Sequence, residues 1–191
     1  QSLQGGHPVS LLSATERFAA VDRSSVTLDT KRCLHTRDRF STCEACFDLC
    51  PTGAIRPGKP PTLDAEKCQT CLACLPTCPV GAYTGDDAVS ALLTCASHIE
   101  SERVELLCEL HPSAEIGMSA DSLGVRIRGC LAGLGTGTYL ALIATGLRYI
   151  IVRTDACATC PWSSLETQIQ VQVARANRIL SAWGWNEALA C

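Results

Sequence analysis

The alternation of apolar and polar positions is clearest in the C-terminal half of the chain. Three short apolar runs each end in cysteine: Arg103-Val-Glu-Leu-Leu-Cys108, Gly124-Val-Arg-Ile-Arg-Gly-Cys130 and Tyr149-Ile-Ile-Val-Arg-Thr-Asp-Ala-Cys157-Ala-Thr-Cys160. Their brevity and their Val, Ile and Leu content predict strands. Between the second and third, Tyr139 to Thr145 reads as a helix closed by Gly146, which makes a beta-alpha-beta unit with parallel strands. A final helix is predicted from the capping box Ser163-x-x-Glu166, with Leu165, Ile169, Val173, Ala176, Leu180 and Trp183 on one face and Gly184 as its stop. An earlier helix is capped by Asp86 or Asp87 and carries Ala88, Leu92, Cys95 and Ile99 on one face, which makes Cys95 a buried small hydrophobe.

The N-terminal half is less periodic. Gln1 to Pro8 is a polar arm, Ser13-x-x-Glu16 is a second capping box followed by Phe18, Ala19, Ala20 and Val21, and Asp22 to Thr30 alternates weakly as a strand leading to Cys33. Prolines in Pro57-Gly-Lys-Pro-Pro61 block regular structure and predict a turn. With 191 residues, 47% of them apolar and 18% charged, the chain can bury a real core. A net charge of −3 provides no basic field to hold nucleic acid or an anionic membrane. The longest nearly apolar run, Tyr139 to Val152, contains Arg148 and is too short to span a bilayer.

Cysteine changes this picture most. There are 14, and eight of them lie in two runs closed alike by Cys-Pro or completed from just upstream. The second run, Cys68-Gln-Thr-Cys71-Leu-Ala-Cys74-Leu-Pro-Thr-Cys78-Pro79, has two, two and three residues between thiols, which is the ligand spacing of bacterial iron-sulfur clusters. The first, Cys43-Glu-Ala-Cys46-Phe-Asp-Leu-Cys50-Pro51, is complete only with Cys33, so His35 to Thr42 must bulge out as a loop. Soft thiolates suit iron-sulfur clusters or zinc, and so many exceed what one zinc ion needs. A disulfide framework would not call for two Cys-Pro repeats, and thiolate-ligand spacing predicts a reducing, cytoplasmic setting.

From about Lys31 to Tyr83 the chain resembles a two-cluster bacterial-type ferredoxin. Both runs continue alike, as Cys50-Pro-Thr-Gly-Ala-Ile55 and Cys78-Pro-Val-Gly-Ala-Tyr83, an internal repeat similar to the pseudo-twofold core of that family. The resemblance implies one 4Fe-4S cluster on Cys33, Cys43, Cys46 and Cys78 and another on Cys68, Cys71, Cys74 and Cys50. It also implies small hairpin strands before each run, with Leu63-Asp64 in the second. Gly53 and Gly81 fall where the backbone turns sharply and positive φ is required.

The three predicted strand ends bring Cys108, Cys130, Cys157 and Cys160 to the carboxyl edge of a parallel sheet, where open alpha/beta sheets hold ligands. They would form a third site for an iron-sulfur cluster, 2Fe-2S or 4Fe-4S, or for zinc. His111 could replace one thiolate, although a lone histidine beside a proline reads as a surface residue. Gly133-Leu-Gly135-Thr-Gly137 lacks the dinucleotide fingerprint spacing and reads as a glycine-rich turn beside this site. Cys191 reads as an unliganded thiol.

This half, about Glu102 to Trp185, resembles the iron-sulfur delta subunit of methyl-viologen-reducing hydrogenase, a relay between hydrogenase and heterodisulfide reductase. The likeness lies in Val125-Arg-Ile-Arg-Gly-Cys130-Leu-Ala-Gly133 and the order of elements around it, and it implies a two-iron cluster. The expected architecture is an N-terminal arm and short helix (1–30), an α+β ferredoxin-type two-cluster domain (31–85), and a small α/β domain with a short parallel sheet (86–191). The expected function is that of an electron-transfer subunit, not a stand-alone enzyme, serving a partner oxidoreductase with a flavin, molybdenum, tungsten or nickel centre. The alternatives are a reductase component with an open C-terminal site, and a ferredoxin fused to a zinc-stabilised scaffold.

Overall fold

The computed structural model describes residues 26–86, 89–112 and 121–191. The helix expected after Ser13, the start of the expected strand from Asp22 to Ser25, and the positions Asp87 and Ala88 lie outside the described residues.

The cysteine runs impose the geometry of the N-terminal half. Strand β1 (Thr27–Leu28) pairs antiparallel with β4 (Tyr83–Thr84), setting Leu28 against Tyr83. Strand β2 (Ile55–Arg56) pairs antiparallel with β3 (Thr62–Leu63), setting Ile55 against Leu63. The strand that enters the first run is thus tied to the strand that leaves the second. After each Cys-Pro the chain makes the same turn, with Gly53 donating to the Cys50 carbonyl at 3.1 Å and Gly81 to the Cys78 carbonyl at 3.2 Å. Both glycines have positive φ, +63° and +56°, where a side chain would be strained. The segment expected to be a plain loop after Cys33 contains a helical turn, α1 (Leu34–Arg37), and a second turn, α2 (Cys74–Thr77), lies in the other run. Val26, Ile55, Leu72 and Tyr83 make a small apolar core between the two pairs.

The C-terminal half is built on β5 (Arg103–Leu107), β6 (Leu123–Arg126), β7 (Tyr149–Val152) and β8 (Leu189–Ala190), parallel throughout and ordered β6-β5-β7-β8. Val104 faces Leu123 on one side and Ile150 on the other. The helices are α3 (Val89–Ala96), α4 (Thr136–Ala144) and α5 (Glu166–Ala182). Val104, Glu105, Leu106 and Leu107 are all buried, so β5 is covered on both faces, as parallel strands require. Leu106, Tyr139, Leu142, Ile150, Leu165 and Ile169 form the centre of the core.

Several details differ from the sequence expectation. The two strands joined through α4, β6 and β7, have β5 between them, an order that the sequence left open. The two-residue strand β8 is too short to show a period. Cys95 is exposed and the buried face of α3 is Leu92 and Ala96. Ser163 does not cap α5. It starts a 3-10 turn, and the helix opens at Glu166 with no side-chain cap. Ile169, Val173, Ala176 and Leu180 are buried as the period requires, but Trp183 is 67% exposed, since it follows the last helical residue. There the amide of Trp185 donates to Leu180 and that of Gly184 to Ser181, with Gly184 at φ +84°, the glycine-terminated helix end that turns the chain away.

The two halves pack directly. Leu72 lies against Gly129 and Gly133, where an added Cβ would come within 3.1 Å and 3.0 Å of it, and a Cβ on Gly135 would meet Pro76 at 2.9 Å. Trp162 Nε1 donates to Gln69 Oε1 at 3.0 Å and Gln168 Nε2 to Thr77 Oγ1 at 3.1 Å across the same seam. Gly135→Val is therefore expected to cost about 1–3 kcal/mol by overpacking. Urea unfolding followed by circular dichroism reads this; an unchanged midpoint would mean that the seam contributes little to stability.

Candidate metal centres

Three nearly apolar hollows lie in the described residues, each ringed by cysteines. The first is lined by Cys33, Cys43, Cys46 and Cys78, with His35, Ala82 and Tyr83. Cys33 immediately precedes α1 and Cys78 follows α2, so both helical turns aim their ends at it. His35 Nε2 lies 2.7 Å from the Cys43 carbonyl and ties the inserted segment back to the run it interrupts.

The second hollow is lined by Cys50, Cys68, Cys71 and Cys74. Thr70 (φ +51°) and Leu72 (φ +67°) are left-handed on either side of Cys71, and these costly conformations coil residues 68–74 around one space. Cys74 and Cys78 bracket the single turn of α2, which puts the first and second hollows side by side.

The third hollow is lined by Cys108, Cys130, Cys157 and Cys160, together with His111, Arg153 and Trp162. Cys108 follows β5, Cys130 follows the turn after β6, and Cys157 and Cys160 follow β7, all at the carboxyl edge of the sheet. The amide of Cys130 donates to the Cys71 carbonyl at 3.2 Å, so this hollow adjoins the second through the backbone. Among the described residues no group of three or more His, Cys, Asp or Glu side chains closes on one point as a single ion would need. The twelve thiols surround spaces instead.

Burial dominates the chemistry of these thiols. It pushes Cys46, Cys71 and Cys108 up, and pushes Cys74 up to about 12, with Cys71 and Cys68 adding to the effect. Cys130 rises to about 12 and Cys157 to about 11, in each case first through burial. Cys50 runs the other way: burial raises it, but the Thr52 hydroxyl and the amides of Thr52, Ile55 and Ala54 together hold it below the ordinary thiol value. Amides also donate to Cys78 Sγ from Ala82 at 3.3 Å, to Cys130 Sγ from Ala132 at 3.5 Å, and to Cys160 Sγ from Trp162 at 3.4 Å. Such donors stabilise negative sulfur and tune whatever it binds.

A model of the family described as the 4Fe-4S binding domain matches residues 61–84. That stretch contains Cys68, Cys71, Cys74 and Cys78, so the chain carries a ferredoxin-type iron-sulfur domain with an electron-transfer role and at least one 4Fe-4S cluster. No curated protein and no solved structure matches the chain.

The sequence expectation missed the polar chain beside the third hollow. His111 is 5% exposed, not a surface residue. Glu105 and Arg153 are buried beside it and joined by an ion pair at 2.9 Å. The Cys108-x2-His111 spacing was the available signal, and the neighbouring proline obscured it.

In iron-stripped protein the folded state holds the protons of Cys74 and Cys130 more tightly than the unfolded chain, whose thiols titrate near 9.0. Stability is then complete below that value and lost as pH rises toward about 12. The urea midpoint of iron-stripped protein should fall between about pH 8 and about pH 10. A midpoint constant over that interval would mean the thiols are equally hydrated in both states.

Proposed function

We propose that this protein relays single electrons along a line of three iron-sulfur centres to or from a partner oxidoreductase. The first 4Fe-4S cluster is held by Cys33, Cys43, Cys46 and Cys78, and the second by Cys50, Cys68, Cys71 and Cys74. The third centre lies in the hollow lined by Cys108, Cys130, Cys157 and Cys160. The observation that carries this reading is the backbone bond from Cys130 to Cys71, which sets a third thiol-lined space against the second.

The order of the hollows makes the second the middle of the line. It adjoins the first across α2 and the third across the Cys71–Cys130 contact. Thiols that surround a space without closing on one point suit a cluster of several irons, whereas tetrahedral zinc gathers its sulfurs within about 2.3 Å of one point. Thiolate ligands and the amides that donate to them set the potentials. The substrate chemistry belongs to a partner carrying a flavin, molybdenum, tungsten or nickel centre, and the setting is cytoplasmic. No helix among the described residues is long and apolar enough to cross a membrane.

Iron, acid-labile sulfide and zinc counts on anaerobically purified protein test the reading. The expected result is about ten irons for a two-iron third centre or about twelve for a third cubane, with Cys130→Ser reduced to about eight. About eight irons with one zinc in the wild-type protein would sink the relay through the C-terminal half.

A further inference from the structure

Four thiols do not exhaust the ligating groups around the third hollow. His111 also lines it, and the backbone fixes where it stands. Arg126 Nη1 donates to the carbonyls of Cys108 (2.9 Å), Glu109 (3.1 Å) and His111 (2.7 Å), and the His111 amide donates to the Cys108 carbonyl at 3.1 Å. This turn brings Cys108 and His111 to the same space.

The imidazole is oriented by a chain of alternating charge. Glu105 Oε2 accepts from Arg153 Nη1 at 2.9 Å, and Arg153 Nε and Nη2 hold Asp155 at 2.7 Å and 2.8 Å. Asp155 Oδ1 lies 3.4 Å from His111 Nε2, and Asp155 stands outside the ring of lining residues. The Asp155 carboxylate, held by Arg153, is an acceptor, so the contact is made by the tautomer that donates from Nε2 and keeps a lone pair on Nδ1. Nδ1 is buried and has no partner among the described residues. A buried, unsatisfied lone pair is costly, and a carboxylate on the far ring nitrogen is the arrangement that orients a metal-ligating histidine.

The thiols are not equivalent. Cys130 receives the amide of Ala132 and Cys160 that of Trp162, while Cys108 shares a tight turn with His111. Cys157 has neither such a donor among the described residues nor a turn shared with His111. It is the thiol the backbone prepares least for a ligand's negative charge.

We infer that the third centre is ligated by Cys108, Cys130, Cys160 and His111 through Nδ1, with Cys157 unligated beside it. The inference rests on the three-centre reading above. Exchange of one anionic thiolate for a neutral imidazole lowers the negative charge of the cluster and raises its potential.

His35 shares part of the signature, with Nε2 against a carbonyl and Nδ1 buried without a partner, but it has no carboxylate behind it. The test must therefore tell the two histidines apart. Anaerobically purified full-length protein, unlabelled and labelled with 15N-histidine, is reduced and examined by pulsed electron paramagnetic resonance for nitrogen bonded to a paramagnetic cluster, alongside the iron count. The expected result is a strong nitrogen coupling that changes with the isotope, disappears in His111→Cys and persists in Cys157→Ser. The third centre should also titrate at a higher potential in the wild-type protein than in His111→Cys. A coupling that survives His111→Cys belongs to His35 and overturns the inference. An iron count above about eight with no coordinated nitrogen also overturns it, while leaving the three-centre reading in place. About eight irons and no third signal would remove both. If His111→Cys does not fold, His35→Gln decides instead: a coupling that persists there supports His111, and one that is lost belongs to His35 and overturns the inference.

Discussion

The arrangement of the molecule depends on one close approach of backbone to backbone, where the turn at Cys71 and Leu72 seats against the segment from Gly129 to Gly133. Leu72 is 3% exposed and left-handed, a conformation a branched or bulky residue adopts only when its surroundings over-determine it. The surroundings here are two glycines with no room for a Cβ and a hydrogen bond from the Cys130 amide to the Cys71 carbonyl. The same turn coils the second run of thiols around its hollow, so packing between the halves and shape of the site are one constraint. Loosening it would widen the step between the second and third hollows and misplace Cys71 together.

The thiols show what that constraint costs and how it is offset. Burial disfavours negative sulfur, which is why Cys74 and Cys130 titrate so high without metal. Within the iron-sulfur segment, metal binding reverses the balance by supplying positive charge, and the Ala82 amide at Cys78 adds to it; amide donors are likewise in place at Cys50, Cys130 and Cys160. The donors come from turns whose backbone is set by Gly53, Gly81 and the residues following each cysteine. The peptide groups that shape each hollow are thus the ones that tune it.

Near the third hollow the sheet contributes more than a platform. Glu105 is buried in the central strand and would be untenable alone, but Arg153 just past β7 meets it from the neighbouring strand. Their pairing fixes Arg153, which fixes Asp155, which fixes His111. A charged pair inside the sheet thereby controls the direction of a ring at its edge.

Much of this was legible in the linear order of residues. Thiol spacing is a local property, so the two Cys-Pro runs and their repeated glycine turns follow from short segments, while the strand that the ferredoxin resemblance implied at Leu63-Asp64 lies at Thr62–Leu63. Strand ends carrying cysteine, and the buried stripe Ile169, Val173, Ala176 and Leu180, likewise follow from periodicity. Other features were decided only by tertiary structure. Cys95 and Trp183 fit a helical period but face water, because the neighbouring elements cover a different arc of α3 and because α5 ends one residue before Trp183. Strand β8 exists only because β7 offers an edge, and β5 separates β6 from β7 because sheet order is set by packing across many residues. His111 is buried by residues more than 40 positions away in sequence, so its neighbour Pro112 was a misleading guide. Sequence by itself determined which groups could bind metal, since coordination chemistry depends on residue type and short spacing; tertiary structure decided which of them meet, since that depends on contacts no short segment encodes.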